Sequence, residues 1–248
     1  MKPVLLFDLV GTLVDEASDY ESLDAAMEAA RRRFGLRDLA ESLSGDFSLA
    51  LMEILRGEGG DEPGAPGPAA DFVPFERAAK EIFAAVMQVR GIDVGESDAA
   101  WFWSTFVALQ RKMVRLHPDA PPALAWARRH GYQVWVLTDA DPYLVQDVLP
   151  GTGLPDLWDG VVTAAEAGAP KPDPAPFRMA IQRAGVQPAS VICVGDSYER
   201  DVLGARGAGI ARAVLVDRHR ARTVDDVPVI TSLQALPAAL ARLAPSMN

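Results

Sequence analysis

The chain has 248 residues, enough for one large domain or two small ones, and 49% of them are hydrophobic, ample for a packed core. Its formal charge of −10, from 34 acidic against 24 basic residues, argues against a nucleic-acid surface or attraction to an anionic membrane, and leaves a small diffusible molecule as the expected partner. The single cysteine, Cys193, permits neither an intramolecular disulfide nor an all-cysteine metal site; its setting, VICV, is that of a buried strand.

In chain order, Val4, Leu5, Leu6 and Phe7 form a short continuous apolar run, the pattern of a strand buried on both faces. Asp8 ends it with a carboxylate, and Gly11 and Thr12 then supply a free backbone and a hydroxyl for a sharp turn. The run is too short for a secretory segment and no later stretch approaches a membrane span, so the cytoplasm is the expected compartment. From there the pattern turns helical for roughly a hundred residues. Segments near Glu21 to Phe34, Asp46 to Arg56, Phe75 to Arg90 and Ser97 to Val114 place apolar residues at three- and four-residue spacing and predict four amphipathic helices. Ser97 with Asp98 is the expected start of the last, and Gly91 the expected stop of the third. Gly57 to Asp71, rich in Gly and Pro, predicts a surface loop. Trp101, Phe102, Trp103 and Phe106 read as helix-bundle core rather than a substrate pocket.

From about His117 strands and helices alternate. Pro121 to His130 predicts a helix stopped by Gly131, and Val134 to Thr138 a second buried strand ending in a hydroxyl followed by Asp139. A helix near Pro142 to Leu149, a strand at Gly160 to Thr163, a loop holding Lys171, and a helix over about Ala175 to Ala184 follow. Val191 to Val194 runs as a strand into GDSYERD, and Arg212 to Asp217 is the last strand expected. Repeated units of this kind predict an α/β fold, a parallel sheet with helices on both faces. GARGAG, from Gly204, reads as a helix end rather than a dinucleotide loop, because no strand leads directly into it. His117, His130 and His219 have no ligand-like spacing and receive no role.

In a parallel sheet the carboxyl ends of the strands share one edge, so Asp8, Thr138, Lys171, Asp196 and Asp201 are expected to converge. Asp8 and Asp196 suit a hard divalent cation, with Mg²⁺ the natural candidate because it accepts few protein oxygens and keeps water and phosphate as its other ligands. A Lys and a hydroxyl nearby would bind the remaining phosphate oxygens, and an Asp beside such an ion is a credible nucleophile.

At these positions the chain resembles the haloacid dehalogenase superfamily. FDLVGTLVD is similar to the family's first motif, VLTD to its second, GAPKPDPAPF to its third and VGDSYERDVLGARGAG to its fourth. The resemblance implies a Rossmann-like parallel-sheet core from residues 1–15 and 116–248, and an α-helical bundle cap domain from residues 16–115 that selects substrate. It also implies that Asp8 is nucleophile and metal ligand, with the Val10 carbonyl and Asp196 as further ligands of Mg²⁺. Thr138 and Lys171 would hold the transferring phosphoryl group of a small phosphorylated substrate, while Thr12 and Asp201 would support the site.

One position departs from the pattern. Family phosphatases usually carry a second Asp two residues after the nucleophile, to protonate the leaving group and then activate water, and here that residue is Val10. Three readings follow. A Mg²⁺-dependent phosphohydrolase is the first, with its leaving group needing little protonation or its acid supplied elsewhere; phosphonate-cleaving relatives, which form an imine with a cap lysine, are a variant, but Lys80 and Lys112 lie in charged helices. A 2-haloacid dehalogenase is the second; such enzymes typically use asparagines in the second and fourth motifs, and the sole Asn here is Asn248. A low-turnover phosphate-binding or regulatory protein is the third, against which the retained charged residues count, since an unused buried carboxylate cluster carries a desolvation cost.

Overall fold

In the computed structural model, which describes residues 2–37, 40–56, 74–219 and 224–243, the apolar run Val4–Phe7 is strand β1, buried along its whole length. Both of its faces are covered, which is why the sequence there shows no polar alternation. The other strands are β2 (Gln133–Thr138), β3 (Gly160–Thr163), β4 (Val191–Gly195), β5 (Arg212–Val216) and β6 (Val229–Ile230), all parallel and ordered β3-β2-β1-β4-β5-β6. Strands β1 to β3 step one way across the sheet and β4 to β6 the other. The order therefore reverses between β1 and β4, and a crevice opens at their carboxyl ends, where open α/β sheets place ligands. Phe7 pairs with Val136 of β2 and Val194 of β4, so Asp8 stands level with Leu137 and Gly195.

The chain divides into two units: the described residues up to Glu16 together with those from Arg115 on, and Ala17–Val114. The second unit consists of α1 (Ala17–Phe34), α2 (Ala40–Arg56), α3 (Phe75–Gln88) and α4 (Glu96–Met113), with α1 against α2 and α4, and α3 against α2 and α4. Its core joins Met27 and Ala30 of α1, Phe47 of α2, Ile82, Phe83 and Met87 of α3, and Phe102 and Phe106 of α4. Phe83 and Phe102 stack with ring centroids 4.1 Å apart and planes 1° from parallel, and Phe47 meets the Phe102 ring at 5.9 Å. Trp101 and Trp103 are half-buried at the margin, Trp101 beneath the Arg33 guanidinium at 4.6 Å. Helix α4 begins one residue earlier than Ser97, with Gly95 at its cap and no capping side chain; Glu96 and Asp98 instead face the positive end of the helix dipole. Lys80 is half-buried and paired with Glu76 one turn back at 2.5 Å, and Lys112 is exposed. The expected loop over 57–71 lies outside the described residues.

In the sheet unit, α5 (Ala120–Arg129) buries Ala120, Ala123, Leu124 and Ala127, a three- and four-residue spacing that puts one face on the core. Short helix α6 (Ala164–Ala167) follows β3, and α7 (Pro174–Ala184) is capped by the Asp173 carboxylate on the Ala175 amide at 2.7 Å. Helix α8 (Gly204–Gly207) occupies the GARGAG segment, and α9 (Leu236–Leu243) closes the described chain. The helix expected over Pro142 to Leu149 is, from Leu144, a π-helical turn to Val148 followed by a 3₁₀ turn, Leu149–Thr152. Pro150, which has no N–H, prevents the α-helical ladder from continuing. No helix among the described residues is long and apolar enough to cross a membrane.

The stacked rings generate a prediction. Phe102→Ala removes the ring shared by Phe83 and Phe47 and is expected to lower the stability of the helical unit by about 3–5 kcal/mol in urea denaturation; a loss below about 1 kcal/mol would contradict this packing.

Candidate active site

Asp8 leaves β1 at its carboxyl end, and its amide donates to the Val194 carbonyl at 2.9 Å, carrying the ladder one residue beyond the strand. Its side chain is only 3% exposed. Lys171, brought in by the loop before α7 and equally buried, donates from Nζ to Asp8 Oδ1 and to Asp201 Oδ1, each at 2.6 Å. The other Asp201 oxygen, Oδ2, accepts the Ser197 amide at 3.0 Å. Asp139, directly after β2, accepts the Lys171 main-chain amide at 2.8 Å, and its second oxygen lies 3.1 Å from Arg200 Nη2. The lysine is thus held by its backbone at one end and by two carboxylates at the other.

Asp8, Asp196 and Asp201 each bring a carboxylate oxygen within 4.8 Å of the others. Two glycines allow this density. Gly11, at φ +90°, packs so closely on Asp196 that a Cβ there would overlap its carboxylate, and a Cβ at Gly195 would overlap that of Asp201. Three carboxylates surround one ammonium, and the titration of the group follows from that imbalance. Burial pushes the Asp8 carboxyl up to about 7, with Lys171 opposing the rise and Asp201 and Asp196 adding to it. Burial and Asp201 raise Asp196 as well, against Lys171 and Arg200. For Lys171 burial disfavours the charge, but Asp8, Asp201 and Asp139 outweigh it and hold the amine above its ordinary value, a fixed cation.

Asp8 Oδ2 is buried without a hydrogen-bond partner. A bare carboxylate oxygen beside two further carboxylates is a set of hard oxygen donors with surplus negative charge, and it fits a small divalent cation. Val10, partly exposed, lies in the loop after β1, which is closed by the Leu13 and Val14 amides on the Leu9 carbonyl at 2.8 and 2.9 Å and by the Gly11 amide on the Val14 carbonyl at 2.8 Å. Its side chain carries no polar atom. Thr138 is buried at the end of β2 with its hydroxyl oxygen accepting the Ala140 amide at 3.0 Å, and the buried Thr12 hydroxyl has no hydrogen-bond partner.

The structure therefore brings Asp8, Lys171, Asp196 and Asp201 together directly, with Asp201 touching the lysine rather than standing behind it. Sequence reasoning missed the Asp139 and Arg200 supports, although both sit inside the motif segments. It also missed that His117 and His219 both approach Glu16, at 3.8 and 3.7 Å, a grouping that spacing alone does not reveal. Cys193 is buried, and burial drives its thiol well above its ordinary value, consistent with an inert core residue.

A parallel sheet with its charged cluster at the switch between β1 and β4 defines a doubly wound, Rossmann-like α/β protein with its site at the strand ends, and the comparisons with known proteins specify it. The family model of the haloacid dehalogenase-like hydrolases matches residues 3–209, and the chain belongs to that family. It is 44% identical over 109 residues to the phosphoserine phosphatase of Thermus thermophilus, an alignment covering 44% of this chain and 43% of that protein, so the chain spans less than half the length of this relative. It is 30% identical over 252 residues to a plasmid-borne phosphoglycolate phosphatase of Cupriavidus necator, covering 98% of this chain and 95% of that one. Among solved structures, the 2-haloacid dehalogenase of Pseudomonas syringae pv. Tomato DC3000 superposes with a TM-score of 0.71 at 26% identity, covering 98% and 100% of the two chains.

The carboxylate crowding has a measurable consequence. An acid whose folded pKa is raised costs stability as pH climbs through the interval between its ordinary value, 3.8, and about 7, and the full cost is present above that interval. In chelator, Asp8→Asn is therefore expected to raise the melting temperature at pH 8 and to leave it nearly unchanged at pH 4. A lower melting temperature for Asp8→Asn at pH 8 would mean that the Lys171 contact outweighs the crowding.

Proposed function

We propose that this hydrolase is a Mg²⁺-dependent phosphohydrolase of a small phosphorylated metabolite, with Asp8 as its nucleophile. The observation that carries the reading is the buried Asp8 oxygen without a partner, set among surplus carboxylates at the switch point of the sheet. Displacement of halide from carbon needs no such excess of anionic charge, whereas a divalent cation that then bridges to an anionic phosphoryl group is held by it. Relatives named as phosphatases agree with this reading.

Asp8, Asp196 and the main-chain carbonyl of Val10 are the proposed ligands of Mg²⁺, which when bound would offset negative charge on the carboxylates and the phosphoryl group. An Asp8 oxygen attacks phosphorus, the bond to the leaving oxygen breaks, and the phosphoryl group is held as an aspartyl phosphate. Lys171 stays protonated throughout and, with the Thr138 hydroxyl, holds the phosphoryl oxygens while it offsets the charge of Asp8. Water then attacks phosphorus, the bond from phosphorus to the Asp8 oxygen breaks, and Asp8 is released as a carboxylate while the protons of the water leave on inorganic phosphate. Thr12 and Asp201 support these groups, Asp201 by fixing the lysine. The helical unit, residues 16–115, is proposed to act as the cap that selects substrate.

Val10 gives the leaving oxygen no proton. A leaving group that is already a weak base needs none, so activated phosphates, acyl phosphates or aryl phosphates are the better substrates of this site, and simple alkyl phosphates the poorer ones. Phosphate release from an aryl phosphate is expected to need both Mg²⁺ and Asp8, and to be lost in Asp8→Asn. Halide release from 2-haloacids without added metal would instead make the protein a dehalogenase, and tight phosphate binding without turnover would make it a binding protein.

Val10→Asp restores the missing acid and is expected to raise kcat/KM for an alkyl phosphate by about 10²- to 10⁴-fold, the usual worth of general acid–base catalysis, with a smaller gain for the aryl ester. Equal gains on both substrates, or none, would show that protonation of the leaving group is not what this site lacks.

A further inference from the structure

The loop that carries Val10 is gripped from outside by an arginine that none of the four motifs contains. Arg218, two residues beyond the end of β5, is largely buried and donates from Nη2 to the Thr12 carbonyl at 2.7 Å and from Nε to the Gly11 carbonyl at 3.4 Å. Its guanidinium also pairs in a two-point fork with Asp119, Nη1 to Oδ2 and Nη2 to Oδ1, both at 3.0 Å. Asp119 is fixed in turn, its Oδ2 accepting the Ser232 hydroxyl at 2.7 Å and the Leu233 amide at 2.8 Å. One planar cation therefore ties the loop after β1 to the start of α5 and to the segment after β6. The loop's own hydrogen bonds use the Leu9 and Val14 carbonyls, leaving those of Gly11 and Thr12 for the arginine.

We infer that Arg218 is a positioning residue for the metal site: by holding the Gly11 and Thr12 carbonyls it fixes the two peptides that follow the Val10–Gly11 peptide, whose own N–H is held by the Val14 carbonyl at 2.8 Å, and so steadies the Val10 carbonyl and seats Gly11 against Asp196. The inference rests on the reading of the site as a Mg²⁺-dependent phosphohydrolase. The proposed ligand at position 10 is a main-chain carbonyl, and a backbone ligand is aimed by whatever fixes its own and the neighbouring peptides. A lysine at position 218 would keep the charge but lose the planar fork that meets two carbonyls and a carboxylate at once. Outer groups that orient ligands are typically worth about 10–100-fold in metal affinity.

The test uses the full chain and two readouts, Mg²⁺ affinity by isothermal titration calorimetry and steady-state hydrolysis of an aryl phosphate at saturating Mg²⁺. Arg218→Ala and Arg218→Lys are expected to weaken Mg²⁺ binding by about 10–100-fold and to lower kcat, while KM for the aryl phosphate changes less than about twofold; added guanidinium ion should partly restore Arg218→Ala. Arg206→Ala, which breaks the surface pair of Arg206 with Asp226, serves as the control that leaves Mg²⁺ affinity unchanged. If Arg218→Ala does not fold, Arg218→Lys decides. A competent wild type with unaltered Mg²⁺ affinity in a folded Arg218 variant overturns the inference alone. A wild type that neither binds Mg²⁺ nor releases phosphate overturns the reading of the site and the inference with it.

Discussion

The ammonium of Lys171, held at 2.6 Å from both Asp8 and Asp201 in a nearly dry interior, is the contact on which the arrangement of the site depends. Removing two opposite charges from water is costly, and a close ion pair offsets that cost only when its geometry is good and the remaining donors and acceptors are satisfied. Here the pairing is good but incomplete: a third carboxylate, Asp196, is drawn in, and one oxygen of Asp8 is left bare. A core selected for stability alone would not keep this cluster, since apolar residues of similar volume would be cheaper to bury. The imbalance instead fits the proposed reading, in which a cation from outside the chain completes the site.

The fold makes that imbalance tolerable by distributing it over rigid elements. Asp8 and Asp196 follow adjacent central strands, β1 and β4, whose register is set along their full length. The lysine arrives on a loop anchored by its own amide to Asp139, and the same Asp139 holds Arg200 at the edge of the cluster. Close approach of backbone to carboxylate at Gly11 and Gly195 removes the side chains that would otherwise push these groups apart. The backbones of Asp8, Asp196 and Lys171 are therefore fixed by strand pairing and by the Asp139 contact, and the Lys171 ammonium by its two carboxylates, the condition under which electrostatic groups act without large reorganisation.

Much of this was legible before any coordinates. Continuous apolar runs at Val4–Phe7 and Val191–Val194 identify central parallel strands because strands covered on both faces have no solvent side to mark with polar residues. The convergence of Asp8, Lys171, Asp196 and Asp201 followed from the rule that strand ends share an edge. What escaped has equally physical reasons. The two-residue strand β6 is too short to show a period, and the π-helical turn over Leu144–Val148 differs from the expected α-helix only in its hydrogen-bond spacing, which so short a segment does not mark. Asp119 lies 99 residues from Arg218 and 113 from Ser232, and nothing in their local patterns distinguishes them from surface polar residues; only tertiary structure makes them one network. The nearest signal was an arginine placed directly after a buried strand and an aspartate, at the same sheet edge as the motifs.

Val10 connects these threads. An acid at that position would contribute through its side chain, whose rotamer can adjust to the substrate. A valine contributes only a carbonyl, and a carbonyl cannot turn without its peptide plane, which in this loop is bounded by Gly11 at φ +90° and by the carbonyls that Arg218 holds. On the proposed reading, a valine there leaves the substrate to bring a leaving group that departs without a proton. The demand that a carbonyl ligand places on a fixed backbone is the same whatever side chain stands at position 10, and the Gly11 amide on the Val14 carbonyl and the Arg218–Asp119 fork are the contacts that hold that backbone.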